Sequence, residues 1–352
     1  MAEVPSKIHD TRGAGRSDGV GRVRKAAVAA GLLTGTAALL FPLFHTSIAA
    51  HTRLGREILD FTHVPVFAAI SLLLLCLTTV LGGSRLRPRW AHYALAATVA
   101  LAMAVVSEVA QYFGNRDADI VDLLRNGVGM AAGLCWTGTL DRRLVAEFDL
   151  LARPRARWLV RSAAVLGLLL ALAPVVLTAW AYRERDGAMP LLRGFDSTWE
   201  RRFLDVANAA VDVTPPPAGW VRGRDDLVGR VTFSRVRWPA ARFEECYPDW
   251  TPYESLVLDL YSESAGTHRL GLSVEDVEYA SNEDRFNLEF DLPPGPTTIR
   301  VPLAEVRSAP AGRELDLARV NNVFLFAFQP PESFAIWVDD LRLEGARSAS
   351  VD

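Results

Sequence analysis

The feature that most constrains this chain is a series of long apolar runs in its first half. A helix that crosses a bilayer needs roughly 20 mostly apolar residues. Four runs meet this requirement, and a fifth is weakened by polar residues within it. The four strong runs are Ala26–Phe44, Val64–Leu81, Trp90–Phe113 and Leu159–Tyr182, and the weaker run is Ile120–Leu140. The sequence therefore predicts an integral membrane protein with a bundle of about five transmembrane helices.

The basic residues between these runs predict an orientation. Arginine and lysine are enriched in cytoplasmic loops. Basic clusters precede the first run, separate the second from the third, and separate the fourth from the fifth; they include Arg22, Arg24, Lys25, Arg85, Arg87, Arg89, Arg142, Arg143 and Arg153. The two remaining loops, 45–61 and 114–119, carry less positive charge. We therefore expect a cytosolic N-terminus and an extracytoplasmic C-terminal half.

Several polar side chains lie in or beside three of the apolar runs. Ionisable residues are costly in a membrane and usually face a bundle interior or a cavity. Their spacings of three, four and seven residues place them on one face of each helix. The residues are Asp60, His63, Glu108, Gln111, Arg116, Asp122 and Asn126. In the predicted orientation all of them lie near the outer membrane surface, so we predict that they form one polar site.

The chemistry of these side chains is compatible with two interpretations. Polar side chains in a bundle can simply hold helices together, but several charges of both signs favour a catalytic or ligand-binding site. Glu108 and Asp122 suit acid–base chemistry or cation binding, and His63 can titrate near neutral pH. Arg116 suits a phosphate or a carboxylate. Three glycines of the weaker run favour close helix packing: Gly127, Gly129 and Gly133.

The order, type and spacing of these residues resemble the signature of the VanZ-like membrane proteins. The segments that carry the resemblance are Asp60-Phe-Thr-His63, Glu108-Val-Ala-Gln111-Tyr-Phe, Arg116, Asp122, Asn126, Gly129 and Gly133. The resemblance covers about residues 20–145 and implies four spanning helices. It also implies a bacterial cell-envelope protein in the cytoplasmic membrane, because the founding member is associated with resistance to a glycopeptide antibiotic. The predicted organisation is a basic cytosolic tail (1–25), a VanZ-like domain (26–145), and a cytosolic loop with a fifth helix (146–182).

The composition changes after about Gly187, where short alternating apolar runs are bounded by proline and glycine. Short runs of this kind are typical of β-strands. The predicted strands are Arg230–Val236, Ser255–Tyr261, His268–Val274, Phe286–Phe290, Thr297–Val301, Val320–Phe328 and Phe334–Leu343. Their number and spacing predict an all-β, jelly-roll-like sandwich over 187–345, followed by a tail at 346–352. Phe324, Phe326 and Phe328 alternate, and we expect them to face the core.

Parts of this second region resemble jelly-roll domains of the carbohydrate-binding-module type. The segments concerned are Trp250–Asp259, Asp284–Asn287, Val301–Leu303 and Trp337–Leu343. The resemblance implies that an outward face contacts a glycan. Aromatic faces suit sugar rings, and the candidate stacking residues are Trp238, Tyr247, Trp250 and Tyr253. The alternative is that these aromatics pack in the core or at its rim.

The remaining site predictions concern ions and other ligands. Asp339 and Asp340 are candidate ligands for a structural calcium ion, because calcium prefers carboxylate oxygens. No other cofactor is predicted. Asp284, Arg285 and Asn287 are able to hydrogen-bond a sugar, although holding a turn is the favoured interpretation. The predicted topology accounts for the basic segments, so no nucleic-acid partner is needed.

Together these observations predict a bacterial cell-envelope protein that acts at the outer membrane–water interface. It would bind or modify a surface glycan, a cell-wall precursor or a lipid-linked phosphate, with membrane lipids around its helices. The residues leave open whether it catalyses a reaction. One alternative is a non-enzymatic, membrane-anchored carbohydrate-binding module. Another is a small carrier or flippase-like transporter, with Glu108 and Asp122 in an ion path.

Overall fold

The computed structural model describes most of the chain. The described residues are 14–45, 52–83, 85–112, 120–223 and 226–345. They form two compact units, Met1–Val176 and Leu177–Asp352, each of which is described by itself. The first unit is helical and the second is mostly β-sheet. The predicted fold class, a helical bundle followed by an all-β sandwich, is confirmed.

The helical part of the chain contains long helices and two short connecting ones. The helices are α1 (Ala14–His45), α2 (Arg53–Gly82), α3 (Trp90–Tyr112), α4 (Ile120–Leu140), α5 (Arg142–Glu147), α6 (Asp149–Ala152) and α7 (Pro154–Ala188). Within the described residues, four spans are long and apolar enough to cross a membrane: Val23–Phe41, Arg53–Gly82, Trp90–Ala110 and Pro154–Ala188. Helix α4 is not among them, since Asp122, Arg125 and Asn126 lower its apolar character.

Helices α2 and α4 pack closely because α4 has glycine at the contact. A Cβ atom at Gly129 would overlap the carbonyl oxygen of Val64, and one at Gly133 would lie 3.2 Å from the carbonyl oxygen of Ala68. The prediction that these two glycines permit close packing is confirmed. Gly127 differs, because an added Cβ there would meet nothing within 4 Å. This contact brings the first turns of α4 against the polar part of α2.

The second unit is a sandwich of two antiparallel sheets. Its strands are β1 (Leu191–Arg193), β2 (Leu204–Ala207), β3 (Ala209–Thr214), β4 (Val228–Phe233), β5 (Ala240–Glu244), β6 (Ser255–Ser262), β7 (His268–Asp276), β8 (Phe286–Leu292), β9 (Gly295–Pro302), β10 (Val320–Ala327) and β11 (Phe334–Glu344). One sheet has the order β3-β4-β11-β6-β9, with β1 also paired to β11, and the other has the order β2-β5-β10-β7-β8. A short helix, α8 (Leu303–Ser308), follows β9. All seven predicted strands are present, and β1, β2, β3 and β5 are additional.

The core of the sandwich lies between the inner faces of the two sheets. Its buried side chains come from both, and they include Val231, Leu258, Leu272, Leu325 and Ile336. On β10 the buried residues alternate with outward ones, as period two requires. The inward set is Val323, Leu325 and Ala327. The prediction that Phe324, Phe326 and Phe328 face the core is therefore wrong, because all three phenylalanines lie on the outer side.

Candidate functional site

The structure brings polar residues from three helices of the bundle together. His63 lies on α2, Glu108 on α3 and Asp122 on α4, and each places one nitrogen or oxygen atom within 4.8 Å of the others. Glu108 is buried, whereas His63 and Asp122 are half-buried. These three residues, which we call the bundle cluster, were predicted to share one site.

Hydrogen bonds and ion pairs orient the bundle cluster. His63 Nδ1 lies 3.0 Å from Asn126 Oδ1, and His63 Nε2 lies 3.9 Å from Asp122 Oδ2. The other oxygen of Asp122, Oδ1, accepts a hydrogen bond of 2.7 Å from Arg125 Nη1. Arg125 Nη1 also lies 3.1 Å from Asp60 Oδ2. The two oxygens of Asp122 thus have different neighbours, one a guanidinium and the other an imidazole.

Arg125 is a member of this site that sequence reasoning missed. In the sequence it is one of the polar residues that make the run Ile120–Leu140 less apolar. The available signal was its position three residues after Asp122, which is a spacing that joins side chains on a helix. Two predicted members are not placed. Arg116 lies outside the described residues, and the structure describes Gln111 only as a position in α3 and not its side chain.

A groove of about 430 Å³ lies on the outer face of the sheet that contains β10. It combines aromatic side chains with charged and amide side chains. Its lining is Trp238, Ala240, Asn282, Arg285, Asn287, Leu288, Glu289, Phe324, Phe326 and Phe328. A volume of this size is in the range of small-ligand sites, which are mostly apolar with a few placed polar groups.

The floor of the groove depends on small residues beside Phe326. In the register of the sheet, Phe326 pairs with Gly271 of β7 on one side and with Ala240 of β5 on the other. A Cβ atom at Gly271 would overlap the Phe326 ring. The ring therefore extends across the backbone of β7. Because neither neighbour has a large side chain, the aromatic surface stays open on the outer face.

Three aromatic rings at one end of the groove contact each other. The Trp238 ring centroid lies 5.3 Å from that of Phe328 and 6.0 Å from that of Phe326, and the two phenylalanine rings are 5.1 Å apart. These edge-to-face and tilted contacts are favourable geometries for aromatic pairs. Trp238 is nevertheless 49% exposed. The rings support one another and still present an aromatic surface to the solvent.

Polar side chains at the other end of the groove are held in place by hydrogen bonds. Arg285 Nη1 donates to Glu275 Oε1 at 2.7 Å and its Nε donates to Asn287 Oδ1 at 2.9 Å. The amide nitrogen of Asn287 donates to the carbonyl oxygen of Asn282 at 3.0 Å. The guanidinium of Arg285 also lies 5.6 Å from the ring centroid of Phe324. Planar polar groups thus stand beside the aromatic floor in fixed orientations.

The four aromatics predicted to stack on sugar occupy different environments. Trp238 lines the groove. Tyr247 is half-buried, with the Arg185 guanidinium 4.8 Å from its ring centroid, and Tyr253 packs against the core. Trp250 is fully buried, and its indole N–H donates to the carbonyl oxygen of Cys246 at 2.8 Å. The Trp250 ring is therefore not accessible to a ligand, because it is packed inside the core.

The two aspartates predicted as calcium ligands are paired with an arginine. Arg222 Nη2 donates to a carboxylate oxygen of Asp339 and to one of Asp340. The same guanidinium lies 3.4 Å from Asp259 Oδ2. Burial, together with the neighbouring Asp340, raises the pKa of Asp339 to about 7, although Arg222 opposes the shift. A calcium ion at Asp339 and Asp340 would have to displace this guanidinium.

Comparison with known proteins shows likeness in structure alone. The chain is similar to the family 11 carbohydrate-binding module from Clostridium thermocellum, with 16% identity and a TM-score of 0.34 over 45% of this chain and 96% of the module. It is also similar to an exo-β-agarase, with 13% identity and a TM-score of 0.35 over 45% of this chain and 26% of that one, and to the non-crystalline-cellulose-specific module CBM28, with 13% identity and a TM-score of 0.32 over 45% and 94%. The sequence matches no protein-family model and no curated protein.

Proposed function

We propose that this protein is a membrane-anchored glycan-binding protein, and that the groove of the β-sandwich is its binding site. The observation that carries the proposal is the outward row of aromatic rings on β10 beside ordered polar groups. Phe324, Phe326 and Trp238 line this groove together with Arg285 and Asn287. Ligand sites are typically lined by aromatic and other apolar side chains together with a few placed polar groups, as this groove is.

The two kinds of side chain in the groove match the two kinds of surface on a sugar. A pyranose ring has C–H groups on its faces, which pack against aromatic rings, and hydroxyl groups around its edge. Guanidinium and amide groups donate hydrogen bonds to such hydroxyls, and amide and carboxylate oxygens accept them. Arg285, Asn287 and Glu289 supply these groups along the groove. The lining therefore favours a glycan over a purely apolar ligand.

The helical unit supplies the proposed anchor. In the part of the chain that the structure describes, four helical spans are long and apolar enough to cross a membrane, and the basic clusters predict that the sandwich is extracytoplasmic. The resemblance of the bundle residues to VanZ-like proteins supports a bacterial cell envelope as the setting. The ligand we propose is therefore a surface glycan, or the sugar part of a lipid-linked cell-wall precursor.

The groove can be tested by measuring glycan binding with the full chain in lipid nanodiscs. The probes are soluble cell-wall fragments, an anionic exopolysaccharide and neutral β-glucans, each titrated by calorimetry. We expect at least one glycan to bind, and Trp238→Ala and Phe326→Ala each to weaken it roughly tenfold, the scale expected for loss of one aromatic contact.

The matched control is Val206→Ala, an exposed apolar residue on the edge strand β2 of the same sheet and not part of the groove lining. This variant should bind as the unsubstituted protein does. Equal binding by all three variants would place the glycan elsewhere. Failure of every glycan to bind would remove the proposed function.

The role implied by the VanZ-like resemblance requires a separate measurement. We expect deletion of the gene to increase sensitivity to a glycopeptide antibiotic, and a plasmid copy to restore the original level. Unchanged inhibitory concentrations in both strains would leave the glycan-binding proposal standing and remove the link to resistance.

A further inference from the structure

A second site lies in the helical unit, in the bundle cluster of His63, Glu108 and Asp122. These are three residue types that ligate divalent metals, and they come from three different helices. One ligand atom from each lies within 4.8 Å of the other two. In a tetrahedral zinc site with bonds of about 2.1 Å, the ligand atoms lie about 3.4 Å apart, so side-chain rotations that draw the three atoms about 1–1.5 Å closer would bring them to one metal.

The histidine of the cluster is oriented as a metal ligand. Asn126 Oδ1 lies 3.0 Å from His63 Nδ1. With the amide oriented so that its oxygen faces the ring, as in this structure, the tautomer that fits is the one with the proton on Nδ1, because an amide oxygen only accepts hydrogen bonds. In the neutral ring the lone pair is then on Nε2, which is the nitrogen that faces Asp122 Oδ2 at 3.9 Å. Ligating histidines commonly donate their second N–H to such an outer partner.

The two oxygens of the Asp122 carboxylate also have different partners. Its Oδ1 accepts from Arg125 Nη1 at 2.7 Å, which leaves Oδ2 toward His63. Arg125 also pairs with Asp60 at 3.1 Å. Hydrogen-bonded outer residues of this kind hold ligating carboxylates in place. Arg125 thus orients one ligand and Asn126 orients another.

In the same orientation, the Asn126 amide leaves a buried donor that a ligand at this point would satisfy. Asn126 is 1% exposed, and within the part of the chain that the structure describes its Nδ2 atom has no hydrogen-bond acceptor. A buried amide donor without an acceptor destabilises the folded state. This amide is the one whose oxygen holds His63, so its donor lies beside the cluster. A metal-bound water or hydroxide would provide the acceptor.

We propose that His63, Glu108 and Asp122 bind a divalent metal ion, and that zinc is the ion they suit. One imidazole and two carboxylates form a nitrogen–oxygen ligand set that zinc accepts, and three protein ligands leave a fourth position for water. Because it lies in the helices, this site goes beyond glycan binding by the sandwich. Close packing at Gly129 brings α4 against α2 and allows the ligands to meet.

The test measures zinc bound by the full chain, purified in detergent with an affinity tag that contains no histidine. The protein is stripped with a chelator, titrated with zinc chloride by calorimetry, and its metal content is measured after dialysis. We expect about one zinc ion per chain. His63→Gln and Asp122→Asn should abolish stoichiometric binding, and Asn126→Ala should weaken it by roughly 10–100-fold, as for other outer-shell residues.

His268→Ala is the matched control, since it removes a histidine from the β-sandwich and should leave zinc binding unchanged. Circular dichroism and thermal unfolding of each variant establish that it is folded, and zinc should raise the unfolding temperature of the unsubstituted protein. The proposal would be overturned if the unsubstituted protein held no more zinc than His63→Gln and Asp122→Asn.

Discussion

At the scale of single residues, the groove depends on a glycine as much as on its aromatic rings. Gly271 lies under the ring of Phe326, where a Cβ atom would overlap the ring. Its role is to leave space, since a residue with a side chain at this position would lift the ring from the sheet. The ring face that remains open on the outer surface is the part of Phe326 available to a ligand.

Gly271→Ala tests this interpretation. We expect the added methyl group to displace the Phe326 ring and to weaken glycan binding, with a loss of stability of roughly 1–3 kcal/mol from overpacking. The measurements are calorimetric glycan titration and chemical unfolding. Gly266→Ala, in an open loop, is the control. Unchanged binding in Gly271→Ala would show that the position of this ring does not matter.

A second residue-scale prediction concerns Asp276, whose carboxylate is fully shielded from solvent. Burial alone would raise its pKa, but hydrogen bonds from Arg313 and from the backbone of Asp316 and Glu278 hold the pKa below its ordinary value of 3.8. A group with a lowered pKa stabilises the folded state above its unfolded pKa. This contribution is therefore lost as the pH falls below about 3.8 toward the folded pKa.

We expect Asp276→Asn to lower the free energy of unfolding at pH 7 by roughly 1.5–3 kcal/mol, because charge-assisted hydrogen bonds disappear. The difference from the unsubstituted protein should shrink as the pH is lowered below 3.8. Unfolding curves at several pH values measure both quantities. A difference that is constant with pH would show that the charge of Asp276 is not the cause.

At the scale of elements, the contact between α2 and α4 decides whether the bundle cluster forms. The contact is close because Gly129 faces the backbone of Val64. On the same helix, Gly127 faces open space. The two glycines therefore form a matched pair for separating helix propensity from helix packing.

We expect Gly127→Ala to be neutral or to stabilise the bundle by up to about 1 kcal/mol, because alanine favours a helix. Gly129→Ala should instead lower the unfolding temperature, since its methyl group would push α4 away from α2. It should also weaken zinc binding. Thermal unfolding and zinc titration in detergent check both results. Similar behaviour of the two variants would contradict the packing argument.

Strand β10 shows why an element can be predicted when its faces cannot. Both faces of this strand are apolar: Val323 and Leu325 lie on one, and Phe324 and Phe326 lie on the other. Alternation predicts that each set shares a face, and it does. Which face points inward is decided by the opposing sheet, whose strands come from positions as distant in the sequence as β3 and as near as β11.

At the scale of the whole molecule, the basic clusters predict the side of the membrane on which each unit lies. Intact cells that carry Val221→Cys, a highly exposed position of the sandwich, should react with a membrane-impermeant maleimide. Arg142→Cys, beside the predicted cytosolic loop, should react only after permeabilisation. The reverse labelling pattern would invert the topology and place the glycan groove in the cytosol.

The two kinds of unit could be predicted from the sequence, because the length of an apolar run and the alternation of short strands are local properties. It also indicated the set of residues in the bundle cluster. Charged side chains are rare in a membrane, and each has few favourable positions there. His63, Glu108 and Asp122 were predicted to meet, and they do.

The roles of individual side chains, in contrast, depend on the tertiary structure. In the folded protein, Trp250 is buried in the core, whereas Phe326 is half-buried on the outer face of the sheet. Aromatic character alone does not distinguish these two residues. Folding also places Arg125 beside Asp60, and Arg222 between two aspartates that resemble calcium ligands in the sequence. The physical reason is that burial and ion pairing depend on neighbours that are distant in the chain and that folding alone brings together.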